Sequence, residues 1–179
     1  MEIRIASYVA ASFLLERELN QWHALVMLDS GKEATDFVET HARDHLYLRF
    51  DDIEEPRTNK HAPTKRLIEQ GLNFAKGKDK LLVCCRAGQG RSVAMAYLIS
   101  CRESGVTEAL KLLDPTRHRP NRLVVTIGDA LLEAPDVLEQ FEDWRRRYSH
   151  IRLSDYYDEI EKEIDALAAQ GATNRICSG

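Results

Sequence analysis

A chain of 179 residues, 44% of them hydrophobic, is long enough for one domain with a substantial core. Its 25 Lys and Arg against 29 Asp and Glu give a formal charge of −4, which excludes a general nucleic-acid-binding surface and confines electrostatic work to local clusters. Four cysteines (Cys84, Cys85, Cys101, Cys177) are too few for a disulfide scaffold and lack C-x2-C zinc spacing, so they predict a reduced, cytoplasmic setting.

The opening EIRIASYV alternates and predicts a strand, running into a short helix over 11–19. The run IASYVAASFLL has the hydrophobicity of a signal-peptide core. However, Glu2 precedes it, and Glu16, Arg17 and Glu18 follow where a small-residue cleavage site belongs. No other run approaches the ~20 residues needed to span a bilayer, so no integral membrane association is expected. HALVMLD predicts a second, buried strand, and LYLRF a third that ends in Asp51 and Asp52.

After Pro63, TKRLIEQGLNFAKG reads as a helix with Leu67, Ile68, Leu72 and Ala75 on one face and Gly77 as its stop. KLLVC predicts a central strand, and SVAMAYLISCRES a helix apolar nearly all round, hence buried. VTEALKLLD is short and helical, and Pro115 and Pro120 bracket the basic loop DPTRHRPNR. Two helices follow, RLVVTIGDALLE and DVLEQFEDWRRRY, the second with Val137, Phe141, Trp144 and Tyr148 on one stripe. DYYDEIEKEIDALAA is a last helix, with Tyr156, Tyr157, Ile160, Ile164 and Leu167 aligned. Strands interleaved with helices, then helices alone, predict a single α/β domain: a mostly parallel central sheet flanked by helices, with extra C-terminal helices. Ligands bind such sheets at the carboxyl ends of the strands, and the loop at Cys85 lies there.

That loop, CRAGQGRS, concentrates chemistry. A thiol is a good nucleophile only as the thiolate. Cys85 starts a turn into a helix, so unpaired backbone N–H groups and the positive end of the helix dipole face it. Gly88 and Gly90 allow a curled backbone whose amides point inward as an anion nest. Arg91 adds a fixed positive charge, and the Ser92 hydroxyl can donate to the sulfur. The same cradle suits a phosphoryl group, with Arg91 forking onto two oxygens.

These residues fit C-x5-R-[ST], and the chain resembles the cysteine-dependent protein tyrosine phosphatases, in particular their dual-specificity branch, over roughly residues 46–132. The resemblance implies a phosphatase domain over 1–150 with a C-terminal helical extension, 151–179, on or beside it. It implies that Cys85 attacks phosphorus, that Arg91 stabilises the transition state, and that Ser92 supports the departing thiolate. The backbone of Arg86, Ala87, Gly88, Gln89, Gly90 and Arg91 would hold the phosphate, and no metal or organic cofactor is implied. The family's general acid is an Asp some thirty residues upstream. Asp52 stands 33 positions before Cys85 and Asp51 stands 34. Asp52 is expected, because the acid sits just beyond the strand's last alternating residues. One departure stands out: the histidine that usually precedes the nucleophile is Cys84. Cys84 and Cys85 should face opposite sides of an extended segment, which makes Cys84 a small buried apolar residue.

The implied substrate is a phosphorylated protein, with phosphotyrosine first and phosphoserine or phosphothreonine beside it. A phosphoinositide or small phosphorylated metabolite is the alternative. The C-x-A-G-x-G-R form resembles lipid-directed loops, which add lysines where this chain has Arg86 and Gln89. A rhodanese-like sulfurtransferase is disfavoured by the five residues between Cys85 and Arg91, one more than its loop carries. A catalytically weak phosphate-binding adaptor is disfavoured by the intact Cys85, Arg91 and Ser92. Arg117, His118, Arg119 and Arg122 read as a solvated loop that could instead steer anions, and Asn121 as a support for the phosphate loop. His41 and His45, four apart, read as surface, and His23, His61 and His150 as isolated. Cys101 reads as core, and Cys177 as a frayed tail. Nothing in the sequence specifies an oligomeric state.

Overall fold

The computed structural model describes residues 1–55, 57–132 and 134–178. Every residue of His23–Leu28 is buried, and a strand without a solvent face belongs inside a parallel sheet covered on both sides. The four main strands are Glu2–Ser7 (β1), His23–Leu28 (β2), Asp44–Arg49 (β4) and Lys80–Cys85 (β5), all parallel and ordered β1-β5-β2-β4. Two short strands, Glu33–Ala34 (β3) and Cys177–Ser178 (β6), pair antiparallel beside this sheet.

The two-residue repeat of the central strands divides their side chains between two cores. Leu25 and Met27 of β2, with Leu81, Val83 and Cys85 of β5, face one core. Its other wall is built by Lys65–Ala75 (α3), Arg91–Ser104 (α4), Val106–Leu110 (α5), Arg122–Leu132 (α6) and Val137–Arg147 (α7). Ala24, Val26 and Leu28, with Leu82 and Cys84, face the other core, under Tyr8–Arg17 (α1) and Phe37–His41 (α2). Each fully buried Leu or Val contributes about 1.5–3 kcal/mol, so both faces are strongly specified.

The expected helices form near their predicted limits. α1 begins at Tyr8 rather than Ala11, because Ser7 accepts from Ala10 N and caps it. Thr64 caps α3 in the same way through Leu67 N. In α4, Arg91 through Cys101 are all buried, in keeping with its apolar circumference. Glu133, the expected last residue of α6, and Pro56 lie outside the described residues. No helix among the described residues is long and apolar enough to cross a membrane.

Leu153–Ala168 forms the last helix, α8. Its expected aromatic stripe is incorrect in one member. Tyr156 is 8% exposed, whereas Tyr157 is 58% exposed, because successive helical residues point ~100° apart. The tail after α8 also corrects an expectation. Ile176 is fully buried in the second core, Thr35 N donates to its carbonyl at 3.0 Å, and Arg175 N donates to Ser12 Oγ at 3.0 Å. Cys177 is therefore part of β6 and is not frayed. The stretch 172–178 crosses α1 and closes over Phe37 and Val38 of α2.

Candidate active site

Parallel strands direct their carboxyl ends to one edge, where three loops meet: those after β2, β4 and β5. β5 delivers Cys85, which is 1% exposed. The next five residues curl back so that Gly90 precedes the first turn of α4. Gly88 makes this possible. Its φ is +71°, and a Cβ there would stand 2.6 Å from Ser7 N and 2.7 Å from the Ala6 carbonyl carbon. Only glycine takes that backbone so close to the β1–α1 junction without strain. Tyr8 N donates to Arg86 O at 3.4 Å on the same side.

The first turn of α4 brings Arg91 and Ser92 inward. Cys85 Sγ and Ser92 Oγ are 3.1 Å apart. Arg91 is 2% exposed, donates from Nη1 to Phe50 O at 2.7 Å, and pairs through Nη2 with Asp29 Oδ1 at 2.8 Å. Its Nε is buried and has no acceptor among the described residues. Burial opposes its charge, but Cys85, Asp29 and Asp52 more than offset that, and the guanidinium pKa lies above its ordinary value.

The consecutive aspartates after β4 have separate surroundings. Asp51 is buried and accepts from Ser30 N, Ser30 Oγ and His61 N at 3.1, 2.8 and 2.8 Å. Burial alone would raise its carboxyl pKa, yet these donors hold it below the ordinary range. Asp52 is half-exposed and turns toward the loop over 86–90. Its carboxylate lies against Gly90, where a Cβ would overlap it, and its Oδ2 is 3.9 Å from Arg91 Nε.

Asn121 joins the two loops. Its Nδ2 donates to Asp52 Oδ1 at 2.7 Å and to Ile53 O at 3.2 Å, and its Oδ1 accepts from Val124 N at 3.0 Å. Its own N–H donates to Gly90 O, and Arg119 N donates to Gln89 O.

The chain matches no family model, and no curated protein matches it. Solved structures do match. Cydia pomonella PTP-2 phosphatase aligns with a TM-score of 0.53 at 16% identity, over 73% of this chain and 85% of that one. The fold is that of a protein tyrosine phosphatase. DUSP15 aligns at 0.47 and 18% identity over 79% and 90%. PTPMT1 in complex with PI(5)P aligns at 0.47 and 12% identity over 83% and 92%.

On this phosphatase fold, the residues singled out by sequence (Cys85, residues 86–90, Arg91, Ser92 and Asp52) share one loop cluster. Arg86 is exposed at its rim. Cys84 faces the opposite core, where burial pushes its thiol pKa up. Sequence reasoning missed Asp29 and Ser30, which the β2 loop places beside Arg91 and Asp51. The position of β2 next to β5 was the signal available for them. It also missed the Gln89 side chain, whose Nε2 donates to Tyr156 O at 2.9 Å.

Other expectations changed. Arg117 and Arg122 are exposed, as a solvated loop requires, but each also pairs with a carboxylate, Glu163 and Glu142. His118 is half-buried, accepts from Asp114 N at 3.0 Å, and has its pKa pushed down to about 4, chiefly by burial. His41 sits on α2, stacked on Phe37, whereas His45 is on β4, so the two do not share a helix. His23 is not isolated: it lies near Asp44 and Asp79.

Proposed function

We propose that this chain is a phosphomonoester hydrolase that works through a cysteinyl-phosphate and acts on phosphotyrosine in proteins. The observation that carries this reading is the convergence of Cys85, Ser92, Arg91 and Asp52 on one anion-shaped loop, with a buried Arg91 donor left without an acceptor. The C-x5-R-[ST] loop and the phosphatase fold support it. Arg86 and Gln89, in place of loop lysines, favour a protein over a phosphoinositide.

The chemistry follows from the arrangement. The Cys85 sulfur forms a bond to phosphorus as the ester P–O bond breaks. The leaving oxygen takes the proton of Asp52 in its acid form. Arg91 and the amides of 86–91 stabilise the charge on the equatorial oxygens. Water then attacks the S–P bond, giving its proton back to the Asp52 carboxylate, while Ser92 donates to the departing thiolate. Asn121 keeps Asp52 over the loop throughout.

Kinetics on purified chain test this. Cys85→Ser should abolish turnover of an aryl phosphate and of a phosphotyrosine peptide while retaining peptide binding. Asp52→Ala should slow turnover by about 10²–10³-fold with poor leaving groups and far less with p-nitrophenolate. Turnover that survives Cys85→Ser would overturn the reading, and a faster rate on inositol phosphates than on phosphotyrosine peptides would redirect its substrate.

A further inference from the structure

The segment after α8 is paired to a loop on which the buried arginine depends. Asp29, which pairs with Arg91 Nη2 at 2.8 Å, opens the stretch between β2 and α2. Within that stretch Lys32 N donates back to Asp29 O at 3.0 Å, Ser30 is tied to Asp51, and Glu33 and Ala34 form β3. Among the described residues β3 has β6 as its strand partner, with Glu33 opposite Ser178 and Ala34 opposite Cys177. The pairing runs one residue further, where Thr35 N donates to Ile176 O at 3.0 Å and the Thr35 hydroxyl donates to Arg175 O. A two-residue strand does not hold its shape alone. The loop from Asp29 to Thr35 therefore takes its outer boundary from the tail.

The tail is itself anchored. Ile176 is fully buried in the core under α1 and α2, the opposite core from Cys85. Arg175 N donates to Ser12 Oγ at 3.0 Å, and its Nη1 pairs with Glu16 at 2.8 Å, both on α1. Resting on the phosphatase reading above, we propose that Ile176 is a positioning residue for Arg91. By seating β6 on β3 it holds the 29–35 loop, and with it the Asp29 carboxylate that sets the direction of the guanidinium. Without Asp29 the charge of Arg91 remains, but the Phe50 carbonyl alone leaves the fork free to pivot about Nη1. A clamp on tetrahedral oxygens acts in one orientation, so a displacement that begins far from the sulfur reaches the reaction through this chain of contacts.

The test uses the full chain and tungstate, an oxyanion with the shape of phosphate. Affinity is measured by calorimetry, at a temperature where circular dichroism finds each variant folded, beside hydrogen exchange of the amides of 29–35. Ile176→Ala should weaken tungstate by about fivefold, lower kcat/KM on an aryl phosphate with it, and speed exchange over 29–35. Ile176→Val, which keeps most of the buried side chain, should stay within about twofold of wild type. Gly128→Ala, which strains the other core, should leave tungstate affinity unchanged.

Unchanged tungstate affinity in Ile176→Ala would overturn the proposal. So would an equal loss in Gly128→Ala, since affinity would then follow stability and not the tail. If Ile176→Ala fails to fold, Thr35→Val, which removes the hydroxyl bonded to the tail, decides on the same measurements. The phosphatase reading fails separately: a wild type that binds tungstate yet hydrolyses no aryl phosphate loses the enzyme, and the tungstate series still decides the part of Ile176. An active wild type whose Ile176→Ala variant is equally active and binds tungstate equally loses the positioning role alone, and a wild type that binds no tungstate loses both.

Discussion

Asp51 and Asp52 are neighbours of one residue type whose side chains do different work. Asp51 takes three donors in a buried pocket and fastens the loop after β2 to the loop after β4. Asp51→Asn should lower unfolding stability by about 1–3 kcal/mol in urea titration, since the donors remain and the charge that satisfies them does not. Because the folded carboxyl is held below its ordinary value of 3.8, its contribution is complete above that pH and is lost as pH falls through the lower, folded value. Asp52→Asn should leave the urea midpoint nearly unchanged and reduce turnover. Finding the large stability loss at Asp52 would reverse the assignment. Spacing to Cys85, and a position just beyond the strand's last alternating residues, made Asp52 legible in the sequence. Asp29 was not legible, because its role depends on which strand lies beside β5, and pairing order is not written in any local pattern.

Among the elements, α4 is the hub, and α6 sets Gly128 against its Leu98 side chain. A Cβ on Gly128 would overlap the Leu98 side chain, so the α6 backbone lies directly on that side chain. Gly128→Ala should cost about 1–3 kcal/mol by overpacking. Combined with Leu98→Ala, which empties the space the methyl needs, the loss should be smaller than the sum of the two single losses. Additive losses would show that the helices separate rather than jam. The apolar circumference of α4 announced its burial in advance, and the 3.6-residue repeat gave α3, α6 and α7. The same periodicity misassigned Tyr157, since a Tyr-Tyr pair reads equally well on either register of α8. β3 and β6 are two residues each, too short to carry any repeat, and Ile176 is buried only because residues more than a hundred positions away provide its cover.

For the molecule as a whole, pH acts through His118 as well as through Asp51. His118 keeps a pKa of about 4 in the folded chain against 6.5 for the free side chain, with burial the main cause and Asp114 working against it. Between pH 6.5 and 4 the unfolded chain binds a proton that the folded chain refuses. Stability should therefore be level above 6.5 with respect to this group and decline toward 4, and His118→Gln should flatten that decline in urea midpoints taken across the range. A wild-type profile no steeper than that of the variant would remove His118 as the cause. The loop over 86–90 also keeps its shape without the histidine that the sequence resemblance implies where Cys84 stands. Its geometry is held from outside, by Ser7 and Tyr8 on one flank, by Arg119 and Asn121 on another, and by Tyr156 at its tip.

Asp29 and the Phe50 carbonyl fix the Arg91 guanidinium on two sides, while its Nε makes no hydrogen bond among the described residues and stands 3.9 Å from Asp52 Oδ2. Its rotamer freedom is thus surrendered once, when the chain folds, and not again at each encounter with an anion. Tetrahedral oxyanions such as vanadate should accordingly meet a mould already cast, and most of their binding free energy should appear as affinity instead of being absorbed by rearranging the arginine.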